Sequence, residues 1–147
     1  MELRRIFQEI NFTNRYEKIC ESSVEFEKIM SGNNVSLYKE VFDLLEIKYK
    51  YNSNGSFFSI TDKKEDIALN LHLVLKGGII ETFLFIKENG VQKKGIDRFD
   101  FIPEELNLPF NREKYNLPRY SSKQELISML SQIFNIYNDL KEKILNY

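Results

Sequence analysis

Ile67-Ala68-Leu69-Asn70-Leu71-His72-Leu73-Val74-Leu75-Lys76-Gly77-Gly78-Ile79-Ile80-Glu81-Thr82-Phe83-Leu84-Phe85-Ile86-Lys87-Glu88 is the stretch that decides the fold. Ile67, Leu69, Leu71, Leu73 and Leu75 occupy every second position, the period at which side chains alternate between the faces of a strand. Gly77-Gly78 follows Lys76, and a second apolar run begins at Ile79. Two apolar runs around a Gly-Gly turn predict a β-hairpin. With that turn, Leu75 pairs with Ile80, Leu71 with Leu84 and Leu69 with Ile86, all on one face. Burying each such side chain contributes roughly 1.5–3 kcal/mol. A slip of one residue would turn the whole set towards water, so the register is strongly fixed. The opposite face pairs Val74 with Glu81, His72 with Phe83 and Asn70 with Phe85, and it is mixed.

Strands are predicted on both sides of this hairpin. Upstream, Ile47, Tyr49 and Tyr51 alternate with Lys48 and Lys50, which sends the tyrosines to the core and the lysines to water. Asn54-Gly55 reads as a type I′ turn, with positive φ at both positions. Phe57, Phe58 and Ile60 carry the return strand, so that Tyr51 faces Phe58 and Tyr49 faces Ile60. Asp62-Lys63-Lys64-Glu65-Asp66 reads as a charged turn into the hairpin. Downstream, Asn89-Gly90 marks a third tight turn, and residues 91–101 read as a fifth strand that Gly95 permits to bulge. The result is an antiparallel meander of about five strands, roughly 46–53, 56–62, 67–76, 79–88 and 91–101.

Helical spacing brackets the meander. Leu3, Ile6, Phe7 and Ile10 follow the i, i+3, i+4, i+7 rule. A second stretch, with Thr13 or Asn14 as its cap, lines up Tyr16, Ile19, Cys20, Ser23, Phe26 and Met30 and stops at Gly32. Residues 2–31 form one kinked helix or two, with the break at 11–14. A short helix is predicted from Ser36 to Leu45. The segment 102–120 holds all three prolines and reads as a wrap over the core, with Pro103 opening a single helical turn. Ser122-Lys123-Gln124-Glu125 is a capping box for a long helix, roughly 122–145. On it Leu126, Met129, Leu130, Ile133, Tyr137, Leu140 and Ile144 form one stripe. Helices segregated from a run of strands define an α+β fold. The chain reads as a single domain, 1–147, with its helices on the Leu69/Leu71/Leu84/Ile86 face.

The composition bounds the function. Apolar residues make up 42% and charged residues 29% of the 147, a globular balance. The 21 basic and 22 acidic side chains give a formal net charge of −1, without the basic excess of a nucleic-acid or membrane-surface binder. A single cysteine, Cys20, excludes an intrachain disulfide and fits a reducing compartment. The N-terminal MELRRIFQEINF carries charges where a signal peptide has its apolar core, and apolar runs stop short of the roughly 20 residues of a membrane helix. These features place the protein in the cytoplasm. No catalytic set, metal site or cofactor is expected. His72, the one histidine, reads as a sheet residue and Cys20 as part of an apolar helical stripe. Glu104 and Glu105 read as a solvated pair at a helix start, and Gly77-Gly78 leads into a strand, so it offers no helix N-terminus to phosphate.

Two surfaces remain as candidate binding sites. One is the outer face of the hairpin, where His72, Phe83 and Phe85 form an apolar patch with a polar rim if no segment covers them. The other is the acidic-aromatic run of Asp97, Asp100, Phe101, Glu104 and Glu105, which would face a basic partner.

The general layout of the chain, together with its closing segment PRYSSKQELISMLSQIFNIYNDLKEKIL, resembles the immunity proteins of bacterial polymorphic and contact-dependent toxin systems. That resemblance implies a non-catalytic inhibitor, a monomer binding one cognate toxin domain, often a nuclease, with His72, Phe83, Phe85, Asp97, Asp100, Glu104 and Glu105 as candidate partner-binding residues. It carries over no family residue. A secretion chaperone or adaptor of acidic α+β type is the alternative. A small enzyme would instead need a deep pocket holding His72 and two carboxylates.

Overall fold

The computed structural model describes residues 1–93 and 97–146. Its central hairpin has the expected register. Strands β3 (Ile67–Val74) and β4 (Glu81–Glu88) pair antiparallel, with Leu69 opposite Ile86, Leu71 opposite Leu84 and His72 opposite Phe83. They form the middle of a five-stranded sheet of order β1-β2-β3-β4-β5, completed by β1 (Lys50–Asn52), β2 (Phe57–Lys64) and β5 (Val91–Gln92). Leu69, Leu71, Leu73, Leu84 and Ile86 are wholly buried on the inner face.

The helices cover that face. The chain starts with α1 (Leu3–Glu9), α2 (Phe12–Glu21) and α3 (Val35–Leu44), and after the sheet comes a single turn, α4 (Ile102–Glu105). It closes with α5 (Lys123–Leu145), whose stripe from Leu126 to Ile144 is buried against β2, β3 and the N-terminal helices. Ser122 caps α5 by accepting a bond from the Glu125 N–H at 3.2 Å. The Glu125 carboxylate reaches back one residue further than a capping box requires, to the Ser121 N–H at 2.8 Å. Across the sheet, Tyr137 of α5 donates to Asp62 of β2 at 2.6 Å.

Several details differ from the sequence reading. The N-terminal helix does break, at Asn11, whose φ of 58° is left-handed. Neither Thr13 nor Asn14 caps α2, because both lie inside it. The second helix ends at Glu21, well before Gly32. Residues beyond it send their backbone donors elsewhere: Val24 N–H to the Arg119 carbonyl at 3.3 Å and Met30 N–H to the Tyr120 carbonyl at 2.9 Å. These bonds to the 118–120 segment outweigh the helical spacing, and Phe26 is left 68% exposed.

The turns obey the same competition. Residues 53–56 form a longer loop in place of a two-residue turn, with Ser56 and not Asn54 or Gly55 at positive φ. The Asn52 side chain accepts from the Gly55 N–H at 2.8 Å. The register survives, with Tyr51 opposite Phe58, but β1 is too short to pair Tyr49 with Ile60. Likewise Leu75 and Ile80 are buried without pairing, because Ile80 N–H donates to the Pro118 carbonyl at 2.9 Å. Asp62, Lys63 and Lys64 belong to β2, so the turn into the hairpin is Glu65-Asp66 alone. Asn89-Gly90 does adopt positive φ at both positions, 54° and 78°. Among the described residues of the strand expected over 91–101, β5 holds Val91–Gln92, and Arg98 pairs with β4 opposite Phe83. Gly95, where a bulge was expected, lies outside the described residues.

Candidate functional site

The inner face of the sheet is closed by α5, which packs on β2 and β3, whereas every outward side chain of β2, β3 and β4 is half-buried or exposed. Alternation sends Phe57, Ser59, Thr61 and Lys63 of β2 to that side, then Ala68, Asn70, His72 and Val74 of β3, and Glu81, Phe83, Phe85 and Lys87 of β4. The face bearing His72, Phe83 and Phe85 thus keeps partial exposure: none of these three side chains is fully buried.

Four rings make a continuous row across it. His72 stacks on Phe57 with centroids 4.6 Å apart and meets Phe85 edge-on at 5.1 Å. Phe85 in turn lies parallel to Phe83 at 6.3 Å. Each ring is half-buried by its neighbours, an arrangement worth about 0.5–1.5 kcal/mol per aromatic pair beyond area burial. Burial of His72 between these rings lowers its pKa from the usual value, since the charged imidazolium loses more hydration than the neutral ring. Around the row lie polar groups, among them Thr61, whose hydroxyl donates to the Asn70 side-chain oxygen at 2.8 Å.

Phe57 is the member of the row that the sequence reading missed. A signal for it existed, because the register that turns Phe58 and Ile60 inward turns Phe57 outward.

The acidic-aromatic run is taken apart by arginines. Asp100 is fully buried and is gripped by Arg98, whose Nε donates to Oδ1 at 2.6 Å and Nη2 to Oδ2 at 3.0 Å. This removes Asp100 from any contact surface, a correction to its reading as a partner-binding residue. The same guanidinium donates to Glu81 at 3.5 Å, and its pKa is raised, chiefly by the hydrogen bond to Asp100. Phe101 lies between two guanidinium groups, 4.4 Å from Arg98 and 4.3 Å from Arg112. Arg112 also pairs with the exposed Glu104 at 3.0 Å. Asp97 and Glu105 are exposed. The run is therefore not one acidic surface: one carboxylate is internal and another is matched by an arginine.

A surface groove of about 810 Å³ between α1 and α5 is lined by charges that pair with one another, Glu9 with both Arg5 (2.9 Å) and Lys143 (3.1 Å), and Arg15 with Asp139 (2.7 Å). It lies away from His72. Among the described residues no group of three or more His, Cys, Asp or Glu side chains is placed to hold a metal ion. Cys20 is half-buried, and burial pushes its thiol up to about 12, far from a reactive thiolate. No helix among the described residues is long and apolar enough to cross a membrane. Compared with known proteins, the chain matches no family model and shows no significant similarity to a curated protein or a solved structure.

Proposed function

We propose that the chain is a protein-binding inhibitor of the immunity type, which neutralises a cognate toxin domain by docking it on the outer face of the sheet. The observation that carries this reading is the half-exposed ring row of Phe57, His72, Phe85 and Phe83. A half-exposed apolar centre inside a polar rim has the anatomy of a protein interface. A five-stranded sheet backed by helices holds the rings rigidly, so little ordering entropy is lost on docking. In this reading the inhibitor works as a monomer in the cytoplasm, where its lone Cys20 stays reduced.

The test is co-expression with the product of the neighbouring gene. The expected result is a stable complex of one copy of each chain in size-exclusion chromatography with light scattering, together with protection of cells from that product's toxicity. Absence of both the complex and the protection would sink the reading.

A further inference from the structure

The ring row has a basic border. Cross-strand pairing places Lys50 of β1 opposite Ser59, which lies opposite His72. Beyond the row of Thr61, Asn70 and Phe85, Lys63 lies opposite Ala68, and Ala68 opposite Lys87. Directly paired residues point to the same side of a sheet, so Lys50, Lys63 and Lys87 emerge on the face that carries the rings. All three are exposed. Among the described residues none of them pairs with a carboxylate. The carboxylate of this face, Glu81, is matched by Arg98 at 3.5 Å. A chain of net charge −1 therefore presents unmatched positive charge along two sides of an apolar centre.

We infer that the occupant of this face is a folded protein surface that is acidic at its rim and apolar at its centre. The inference rests on the proposed function and narrows it. The acidic run was expected to meet a basic partner, but its Asp100 is internal and its Glu104 is matched by Arg112. The face with the half-exposed rings carries the opposite sign. Rim charges of this kind steer encounter and exclude partners of like charge.

Lysines beside aromatic rings also occur in single-strand nucleic-acid binders, where bases stack on open ring faces along a charged groove. Here Phe57 and His72 cover one another at 4.6 Å, and the lysines stand at the β1 edge and at one end of the ring row instead of lining a track between the rings. The chain also lacks the basic excess of such a binder, with a sequence pI near 6.0.

The experiment compares the wild-type chain with the Lys50→Glu/Lys63→Glu/Lys87→Glu variant in titrations against the purified product of the neighbouring gene, at low and high salt. Circular dichroism confirms the fold of the variant, whose changed side chains are all exposed. The expected result is about tenfold weaker binding by the variant and a wild-type affinity that falls with salt where the variant's does not. Equal binding by both proteins overturns this inference and leaves the proposed function standing, whereas no binding by the wild type overturns both. Two further readouts also overturn it. One is a single-stranded thymidine oligonucleotide that binds the wild type but not the variant. The other is concentration-dependent self-association that the variant loses, which would assign the face to a second copy of the chain.

Discussion

His72 lies flat on Phe57, with ring centroids 4.6 Å apart and planes 20° from parallel. This contact couples the site to pH. Burial lowers the pKa of the folded imidazole below its usual value, so the fold favours the neutral ring. The unfolded chain takes up the proton first, near pH 6.5. The stabilising contribution is thus complete above about pH 6.5 and is lost as pH falls through the lower folded pKa. The chain has one histidine, so an NMR titration of the imidazole reads the folded pKa without ambiguity and is expected to find it below 6.5. The urea midpoint of the wild type should fall from pH 7 to pH 5 more steeply than that of His72→Gln.

Gly77 and Gly78 are adjacent in the same turn yet should tolerate alanine very differently. Both have positive φ, 76° and 74°. Around Gly77 a methyl group would meet nothing within 4 Å, so Gly77→Ala bears only the left-handed backbone cost, about 1–2 kcal/mol. At Gly78 the same methyl would lie 2.5 Å from the Met30 carbonyl oxygen and 2.9 Å from the Ile29 Cβ. The Met30 backbone cannot withdraw freely, because its N–H donates to the Tyr120 carbonyl and Tyr120 N–H donates to Gly78, each at 2.9 Å. Gly78→Ala is expected to add an overpacking cost of roughly 1–3 kcal/mol to the backbone cost. Chemical denaturation of the two variants checks the ordering, and equal midpoints would refute it.

The same junction explains what the sequence could and could not reveal. Leu69, Leu71, Leu84 and Ile86 were legible because their alternation leaves one register that buries them all. The long α5 was legible from its stripe and its serine cap. Residues 22–31 were not, because their helical spacing is local information, while the donors of Val24 and Met30 are satisfied by residues 118–120, almost a hundred positions away. The 53–56 loop misled for a related reason: Asn54-Gly55 fits a type I′ turn, but Asn52 bonds the Gly55 N–H and draws the chain into a wider loop. For the site, period-2 alternation placed His72, Phe83 and Phe85 on one face, but whether anything roofed that face depended on tertiary packing. The fate of Asp100 was invisible, since a carboxylate two residues from an arginine reads as solvated until the fold buries it.

Tyr137 and Asp62 tie the long helix to the sheet, with a hydroxyl-to-carboxylate distance of 2.6 Å. Burial, aided by this bond, raises the phenol pKa above its ordinary value. Below about pH 10, the unfolded value, the stabilisation is complete; it declines as pH rises towards the higher folded pKa. Tyr137→Phe keeps the ring but leaves Asp62 with Lys141 at 3.8 Å. It is expected to cost about 1.5–3 kcal/mol at pH 7, the range for a hydrogen bond to a charged group. The difference between the two proteins should shrink above pH 10, as thermal melts at pH 7 and pH 10.5 would show.

Arg98 joins the interior to the candidate docking face, and its removal should be felt on both. Its fork holds the fully buried Asp100, while Nη1 reaches Glu81 on the outer face. Breaking a buried ion pair by removing one partner costs roughly 3–5 kcal/mol, because the remaining charge is left without compensation. Arg98→Ala strands the carboxylate of Asp100, whose exposure is 0%, whereas Asp100→Ala strands a guanidinium that retains 22% exposure and still has Glu81. Arg98→Ala is therefore expected to be the more destabilising of the two, and a double-mutant cycle read by urea denaturation should give a coupling above about 1 kcal/mol. Additive effects would show that the fork contributes packing alone. Asp100→Ala also leaves Arg98 free to neutralise Glu81, while Arg98→Ala leaves Glu81 as an unmatched anion on the lysine-bordered face. If that face docks an acidic surface, Arg98→Ala weakens binding beyond its effect on stability and Asp100→Ala does not, which titration of both folded variants against the same partner would distinguish.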